Sequence, residues 1–292
     1  MFLGYNTNGF AHHDPFAAVE LLAELGYQSV AITLDHGVLN PFDTRTADQT
    51  LRMRDHLQRH GLRSVVETGA RYLLDARHKH EPTLLSAEPS ARQRRFDFLC
   101  RAIEIAVRLG SDCVSMWSGV LRDPASPDAA WKRLSESLRQ VLDFAGEREM
   151  IVGFEPEPGM WIATLNDYQR LLSHVDAANL RLTLDVGHLH CLGEVPIVAE
   201  IHRWHTRLVN VHLEDMRFGV HEHLMFGEGE MDFPPILAAL GEIGYRGGLH
   251  VELSRHSHLA PDAARQAFHF LQPLVAASRP RPADREIRRP QT

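Results

Sequence analysis

The stretch Leu182-Thr-Leu-Asp-Val-Gly-His-Leu-His190 decides the fold of this chain. Leu180 to Leu184 is apolar enough for a buried strand, and the run stops at Asp185, with Val186, Gly187 and His188 behind it. Burying an ionised carboxylate without a partner is expensive, so something cationic should stand against it. Three other strands end in the same way: Val152-Gly-Phe in Glu155, Leu208-Val-Asn-Val in His212, and Gly248-Leu-His-Val in Glu252. The intervals along the chain are 30, 27 and 40 residues, each the length of a strand with its return helix. Four consecutive strands of a parallel sheet would therefore deliver Glu, Asp, His and Glu to one rim.

Working outward, the same alternation runs through the chain. Strands are expected at Phe2 to Asn6, Ser29 to Leu34, Arg63 to Glu67 and Cys113 to Trp117. Between them lie helices signalled by Asp14-Pro15 with Gly26, by the polar run Thr46 to His60 with Gly61, and by Phe96, Leu99 and Ile103 with Gly110. Trp131, Leu134 and Leu138 mark a fourth helix. Later helices are read at Asn166 to His174, Pro196 to Trp204, Pro235 to Ile243 and from Pro261 onward, with a glycine turn at Gly187. The irregular segments Thr68 to Pro89, after strand three, and Glu214 to Asp232, after strand seven, are long for a compact domain, and loops of that length are usually functional. Eight strand-helix units without a break in composition predict a single α/β domain over residues 1–277, a (β/α)8 barrel with its chemistry at the C-terminal strand ends. Residues 278–292, rich in Pro and Arg, read as a disordered tail.

Composition narrows the function. The chain has 292 residues, a net charge of −7 and 44% hydrophobic residues, so it reads as an ordinary globular protein with little attraction for nucleic acid or anionic lipid. No run reaches the length of a membrane span and no export signal opens the chain, which gives a cytoplasmic expectation. Three cysteines, without ligand spacing and odd in number, argue against a disulfide framework. The expected partner is a small molecule. A homo-oligomer stays open.

Two Glu, one Asp and one His make an oxygen-rich set that suits Mn²⁺, Mg²⁺ or Co²⁺ and tolerates Zn²⁺, leaving positions for substrate oxygens. Any one strand-end acid is as readily a salt-bridged rim residue, but four on successive strands are not. Arg71, Lys79 and His80 of the first long loop are placed to clamp an anionic group on closure, and Glu157 to meet substrate. Gly227-x-Gly229 lacks the third glycine of a dinucleotide loop and reads as a turn. His221-Glu-His223 lacks the spacing of the helical zinc motif.

Glu155, Asp185 with His188, His212 and Glu252 together resemble the metal motif of the xylose isomerase-like barrel superfamily of sugar and sugar phosphate isomerases and epimerases. The resemblance covers about Met1 to Ala276. It implies that Glu155, Asp185, His212 and Glu252 ligate one divalent metal, and that Glu155 and Glu252 move the proton α to a carbonyl through an enediolate. It implies also that His188 and Arg217 bind substrate oxygens. A dehydratase acting on a cyclitol-like substrate would use the same base and metal. The run His221 to Gly229 is similar to the loop after strand seven in the endonuclease IV branch, a group of multi-zinc phosphoesterases. That likeness implies a second ion near His188, His221, His223 and Glu67. The chain departs from that branch in having Glu67 and Trp117 where it has histidines, and His221 where it has an aspartate.

Overall fold

The computed structural model describes residues 1–278. Eight parallel strands close into a barrel: β1 (Phe2–Asn6), β2 (Ser29–Thr33), β3 (Arg63–Glu67), β4 (Val114–Met116), β5 (Val152–Phe154), β6 (Leu180–Asp185), β7 (Leu208–Leu213) and, after a two-stranded hairpin formed by β8 (Asp215–Arg217) and β9 (Val220–Leu224), β10 (Gly248–Val251). The last strand pairs with the first, Leu3 opposite Leu249, which closes the ring. Each neighbour in the barrel is the next barrel strand in the chain. The (β/α)8 barrel expected from the alternation is the fold observed. The expectation of a disordered tail falls, apart from Ser278, outside the described residues.

The helices around it are α1 (Pro15–Leu25), α2 (Thr46–His60), α3 (Pro89–Leu109), α4 (Pro127–Gly146), α5 (Leu165–His174), α6 (Val186–Leu192), α7 (Ile197–Trp204), α8 (Phe233–Glu242) and α9 (Ala260–Ala277). Their ends follow local chemistry. Asp14 accepts from the amides of Phe16 and Ala17 and Pro15 opens the first turn of α1, which Gly26 closes at φ 100°. Thr164 and Asp167 exchange hydrogen bonds as a capping box at α5. Leu22, Phe98, Leu138 and Leu171, one from each of four helices, are fully buried in the apolar core. Among the described residues, no helix is long and apolar enough to cross a membrane.

The barrel interior is polar at several levels. Ser29 on β2 bonds His250 on β10, and Thr183 on β6 donates to Ser115 on β4 at 3.1 Å. Neither pair sits on neighbouring strands; β1 and β5 lie between them. The strand in between carries a glycine in each case. A Cβ at Gly4 would come within 2.2 Å of the His250 ring, and one at Gly153 within 2.4 Å of the Thr183 hydroxyl. These two glycines are what allow the side chains to meet.

Two expectations are corrected in detail. Gly187 does not make a turn: Asp185 accepts from the His188 amide and starts α6 directly at the end of β6. The segment from Glu214 to Asp232 is no open loop either. Its first half is the β8–β9 hairpin, and its second half wraps around the buried Asp215 carboxylate, which accepts from the amides of Met216, Gly227, Gly229 and Met231. Gly229 faces that carboxylate so closely that a Cβ would meet it at 2.2 Å, so the Gly227-x-Gly229 pair serves the turn.

Candidate metal centre

Glu155 follows β5, Asp185 ends β6, His212 lies near the end of β7 and Glu252 follows β10, so barrel closure alone brings the four to one rim. One ligand atom from each lies within 4.8 Å of the others. His212 is the hub. Its Nδ1 stands 3.0 Å from Glu155 Oε1, 3.0 Å from Glu252 Oε2 and 3.9 Å from Asp185 Oδ2. Asn8 donates to the other oxygen of Glu252 at 2.7 Å.

The electrostatics are those of acids crowded out of water. Burial pushes Glu155 up to about 8 although His212 opposes it. Burial, with Glu155 adding its charge, lifts Glu157 well above the usual carboxylate range. Burial works against the ionised form of Glu252 too, but His212 and neighbouring histidines outweigh it and hold this carboxyl well down. Asp185 is likewise held down: burial opposes its ionised form most, but His188, Glu214, His223 and His212 together outweigh it. For His212 burial disfavours the cation, yet Glu155, Glu67 and Glu252 win and raise it well above an ordinary imidazole.

The donor set fits a divalent cation. Three carboxylates converge on one imidazole nitrogen, and Asp185 Oδ2 is buried without a hydrogen-bond partner among the described residues, as are both oxygens of Glu214 beside it. An unpartnered buried acid costs on the order of 1–3 kcal/mol or more, a debt that an ion would remove. Glu214 was not singled out by the sequence reading. Burial and then Asp185 raise it well above its usual range, and a Cβ at Gly187 would come within 2.0 Å of its Oε1. The signal for it was present: Asn210, His212 and Glu214 alternate along β7 and its extension and so share one face.

A second group lies alongside. His188, His221 and His223 bring their nitrogens within 4.8 Å of one another, with His221 Nε2 and His188 Nε2 at 3.1 Å. His221 and His223 are two apart on β9, which puts both on the same face of the hairpin. Burial takes His188 down to about 4 and also lowers His221, which disfavours the imidazolium form of both rings. Glu157 reaches the same place, 3.7 Å from His188 Nε2. Glu67 does not join this trio. It stands against the far nitrogen of His212, at 3.0 Å, because β3 lies across the barrel from β7.

A cavity of about 290 Å³ opens over the centre, a size suited to a small ligand. Glu67, Arg71, Lys79, His80, Trp117, Glu155, Glu157, His212, His221, His223 and Glu252 line it, together with Asn8, whose importance the sequence did not disclose. Arg71 is steadied by Asp35 at 3.6 Å and by the Asn8 carbonyl. Burial lowers His80 to about 4. Beneath the loop the buried Arg95 donates to the Thr68 carbonyl and lies 4.5 Å from the Trp117 ring. Three expected residues do not line the cavity: Asp185 and His188 are buried behind the wall, and Arg217 lies outside it. Arg217 is exposed on β8 and donates to the Glu228 carbonyl. Folding of this segment into a hairpin turns His221 and His223 inward and leaves Arg217 at its outer end.

Residues 19–274 match the family described as xylose isomerase-like TIM barrel, and the chain belongs to that family. Inosose dehydratase from Lacticaseibacillus casei is 30% identical over 146 residues, 44% of this chain and 49% of that one. The chain thus spans about half the length of the curated relatives it matches. Among solved structures, L-ribulose 3-epimerase superposes with a TM-score of 0.77 at 18% identity, covering 99% of both chains. The 3-keto-D-glucoside 4-epimerase from E. coli gives 0.77 at 18% identity, covering 94% of this chain and 99% of that one. At such identities the structural likeness shows the fold.

Proposed function

We propose that this protein is a divalent-metal-dependent isomerase or epimerase of a small polyhydroxylated carbonyl compound. The observation that carries the reading is the pair Glu155 and Glu252, two carboxylates each 3.0 Å from His212 Nδ1, at the wall of a cavity of small-molecule size. Glu155, Asp185, His212 and Glu252 would hold the ion. Once bound, such an ion takes up the negative charge that develops on a carbonyl oxygen as the neighbouring carbon loses its proton.

The side chains do the rest. One of Glu155 and Glu252 takes the proton from carbon and the other returns it, a task that needs one ionised and one protonated group. In the ion-free chain the two already differ, Glu252 held down and Glu155 pushed up to about 8. Asn8 fixes the orientation of Glu252. His188 and Glu157 would hold substrate hydroxyls, and Arg71, Lys79 and His80 would face a phosphate or carboxylate carried by the substrate. The trio His188, His221 and His223 could instead take a second ion, which is the arrangement a phosphoesterase would need. The acidic balance of the chain argues against a DNA substrate there.

A dehydratase of a cyclitol-like substrate is the second reading, favoured by the identity with inosose dehydratase. Both readings use the same carboxylate to remove a proton from carbon. Incubation of ketoses, their phosphates and inosose in deuterated water with Mn²⁺ or Mg²⁺ tests them together. Deuterium in recovered sugar with a changed configuration supports the first reading, and loss of water from the cyclitol supports the second. No carbon-bound deuterium and no water loss from any of them would refute proton transfer as the function.

A further inference from the structure

We propose that Glu67 is a positioning residue that fixes which nitrogen of His212 faces the ion. The proposal rests on the reading of His212 as a ligand. Glu67 is buried at the end of β3, 7% exposed, and its Oε1 lies 3.0 Å from His212 Nε2, the nitrogen pointing away from Glu155 and Glu252. A carboxylate oxygen can only accept, so this contact requires the proton to sit on Nε2. Without an ion Nδ1, 3.0 Å from Glu155 and from Glu252, calls for a proton by the same rule; an ion among the carboxylates would displace that proton, not the one held by Glu67, and take the Nδ1 lone pair. An imidazole left to itself distributes its proton between the two nitrogens, and a hydrogen bond on the far side is the means by which proteins settle the matter.

Glu67 is in turn braced by a chain of donors crossing the barrel. Ser29 bonds His250 Nε2 at 2.8 Å, and His250 Nδ1 bonds the Asn210 carbonyl oxygen at 2.7 Å. The Asn210 amide nitrogen donates to Glu67 Oε1 at 3.1 Å. The donor directions agree along the whole chain: hydroxyl to Nε2, Nδ1–H to amide oxygen, amide N–H to carboxylate. The alternative orientation of the Asn210 amide would set its oxygen against the Glu67 oxygen, acceptor to acceptor. With the amide as placed, Asn210 Nδ2 and His212 Nε2 approach to 3.0 Å as two donors converging on one oxygen. The room for His250 comes from Gly4 and Gly248, where a Cβ would lie 2.2 and 2.4 Å from its ring. Thus β2, β10, β7 and β3 each contribute one member, and the fold spends two glycines on the arrangement.

This assignment takes Glu67 out of the ligand set. A second-ion role for it would require its carboxylate to reach the His188, His221 and His223 trio, and it is in none of the three groups of side chains close enough to share an ion.

The test uses the whole chain with Zn²⁺ as a diamagnetic probe. Affinity is measured by competition with a chelating dye, and the His212 tautomer from ring nitrogen shifts in histidine-labelled protein, assigned with His212→Gln. Zn²⁺-loaded wild type should show His212 protonated on Nε2. Glu67→Ala should lower the affinity roughly 10–100-fold and mix the tautomers. Glu67→Gln keeps an acceptor oxygen and should recover most of the affinity, whereas a ligand role would make it as damaging as alanine. If Glu67→Ala does not fold, Asn210→Ala, which leaves the carboxylate unbraced, should give a smaller loss in the same direction. Unchanged affinity in the folded variants, or a proton on Nδ1 in the loaded wild type, would overturn the proposal. Wild type that binds no Zn²⁺ would instead bring down the reading of the centre itself.

Discussion

Removing divalent ions should leave a protein whose stability falls as the pH rises above neutral. Four groups in the centre bind their protons more tightly folded than unfolded. Burial pushes Glu155 up to about 8, burial and Glu155 raise Glu157, and burial and Asp185 raise Glu214; His212 is raised because Glu155, Glu67 and Glu252 outweigh its burial. A group with a raised folded pKa supports the fold fully below its unfolded value and loses that support as pH climbs through the folded one. For Glu155 the window runs from its ordinary 4.5 to about 8. His188 and His250 act in the opposite sense, lowered by burial to about 4 and about 3, but an unfolded histidine has largely given up its proton by about pH 7. Above that only the raised groups remain. With one pKa unit worth about 1.4 kcal/mol, Glu155 alone should cost about 1 kcal/mol between roughly pH 7 and 8.5, and the other three add in the same direction. Urea unfolding with chelator, at both ends of that range, measures the slope. A saturating divalent ion should flatten it, because the cation replaces the protons as the partner of the acids. Chelated protein that is equally stable at both pH values, or more stable at the higher one, would refute the reasoning.

Other expectations follow from single contacts. Glu252→Gln should reduce solvent-proton exchange into substrate by roughly 10²-fold or more while the circular dichroism of the strands and helices stays unchanged. Gly187→Ala drives a Cβ to 2.0 Å from the buried Glu214 and 2.8 Å from Met216, so denaturant unfolding should show a loss of about 1–3 kcal/mol, with weaker ion binding as Asp185 shifts. Arg217→Ala should leave kcat/KM within about threefold of wild type, since the guanidinium is tied to the Glu228 carbonyl away from the cavity. A large loss there would mean that the hairpin rearranges when substrate binds.

Most of the fold was legible because each strand announced its end. A glycine or proline closes or opens most helices, and the apolar strand runs stop at Glu67, Glu155, Asp185, His212 and Glu252. The meeting of those acids followed from the barrel itself, since consecutive strands become neighbours around a ring. What stayed hidden depends on contacts that no local pattern encodes. Asn8 reaches Glu252 across 244 residues of sequence, and Glu67 meets His212 only because the strands bearing them face each other across the interior. Arg217 was misplaced for a related reason: a polar segment rich in glycine gave no sign that Asp215 would gather its amides and fold it into a hairpin. Gly187 looked like a turn residue, whereas its missing side chain is needed for packing against Glu214. Glu214 itself could have been found by extending the alternation of Asn210 and His212 one step further.

The central claim is that side chains from β5, β6, β7 and β10 share one divalent cation. Anomalous X-ray scattering from crystals soaked in Mn²⁺ tests it most directly. The account predicts a strong peak within bonding distance of Glu155, Asp185, His212 and Glu252, whereas a fully exchanged crystal with no peak among those four would contradict it.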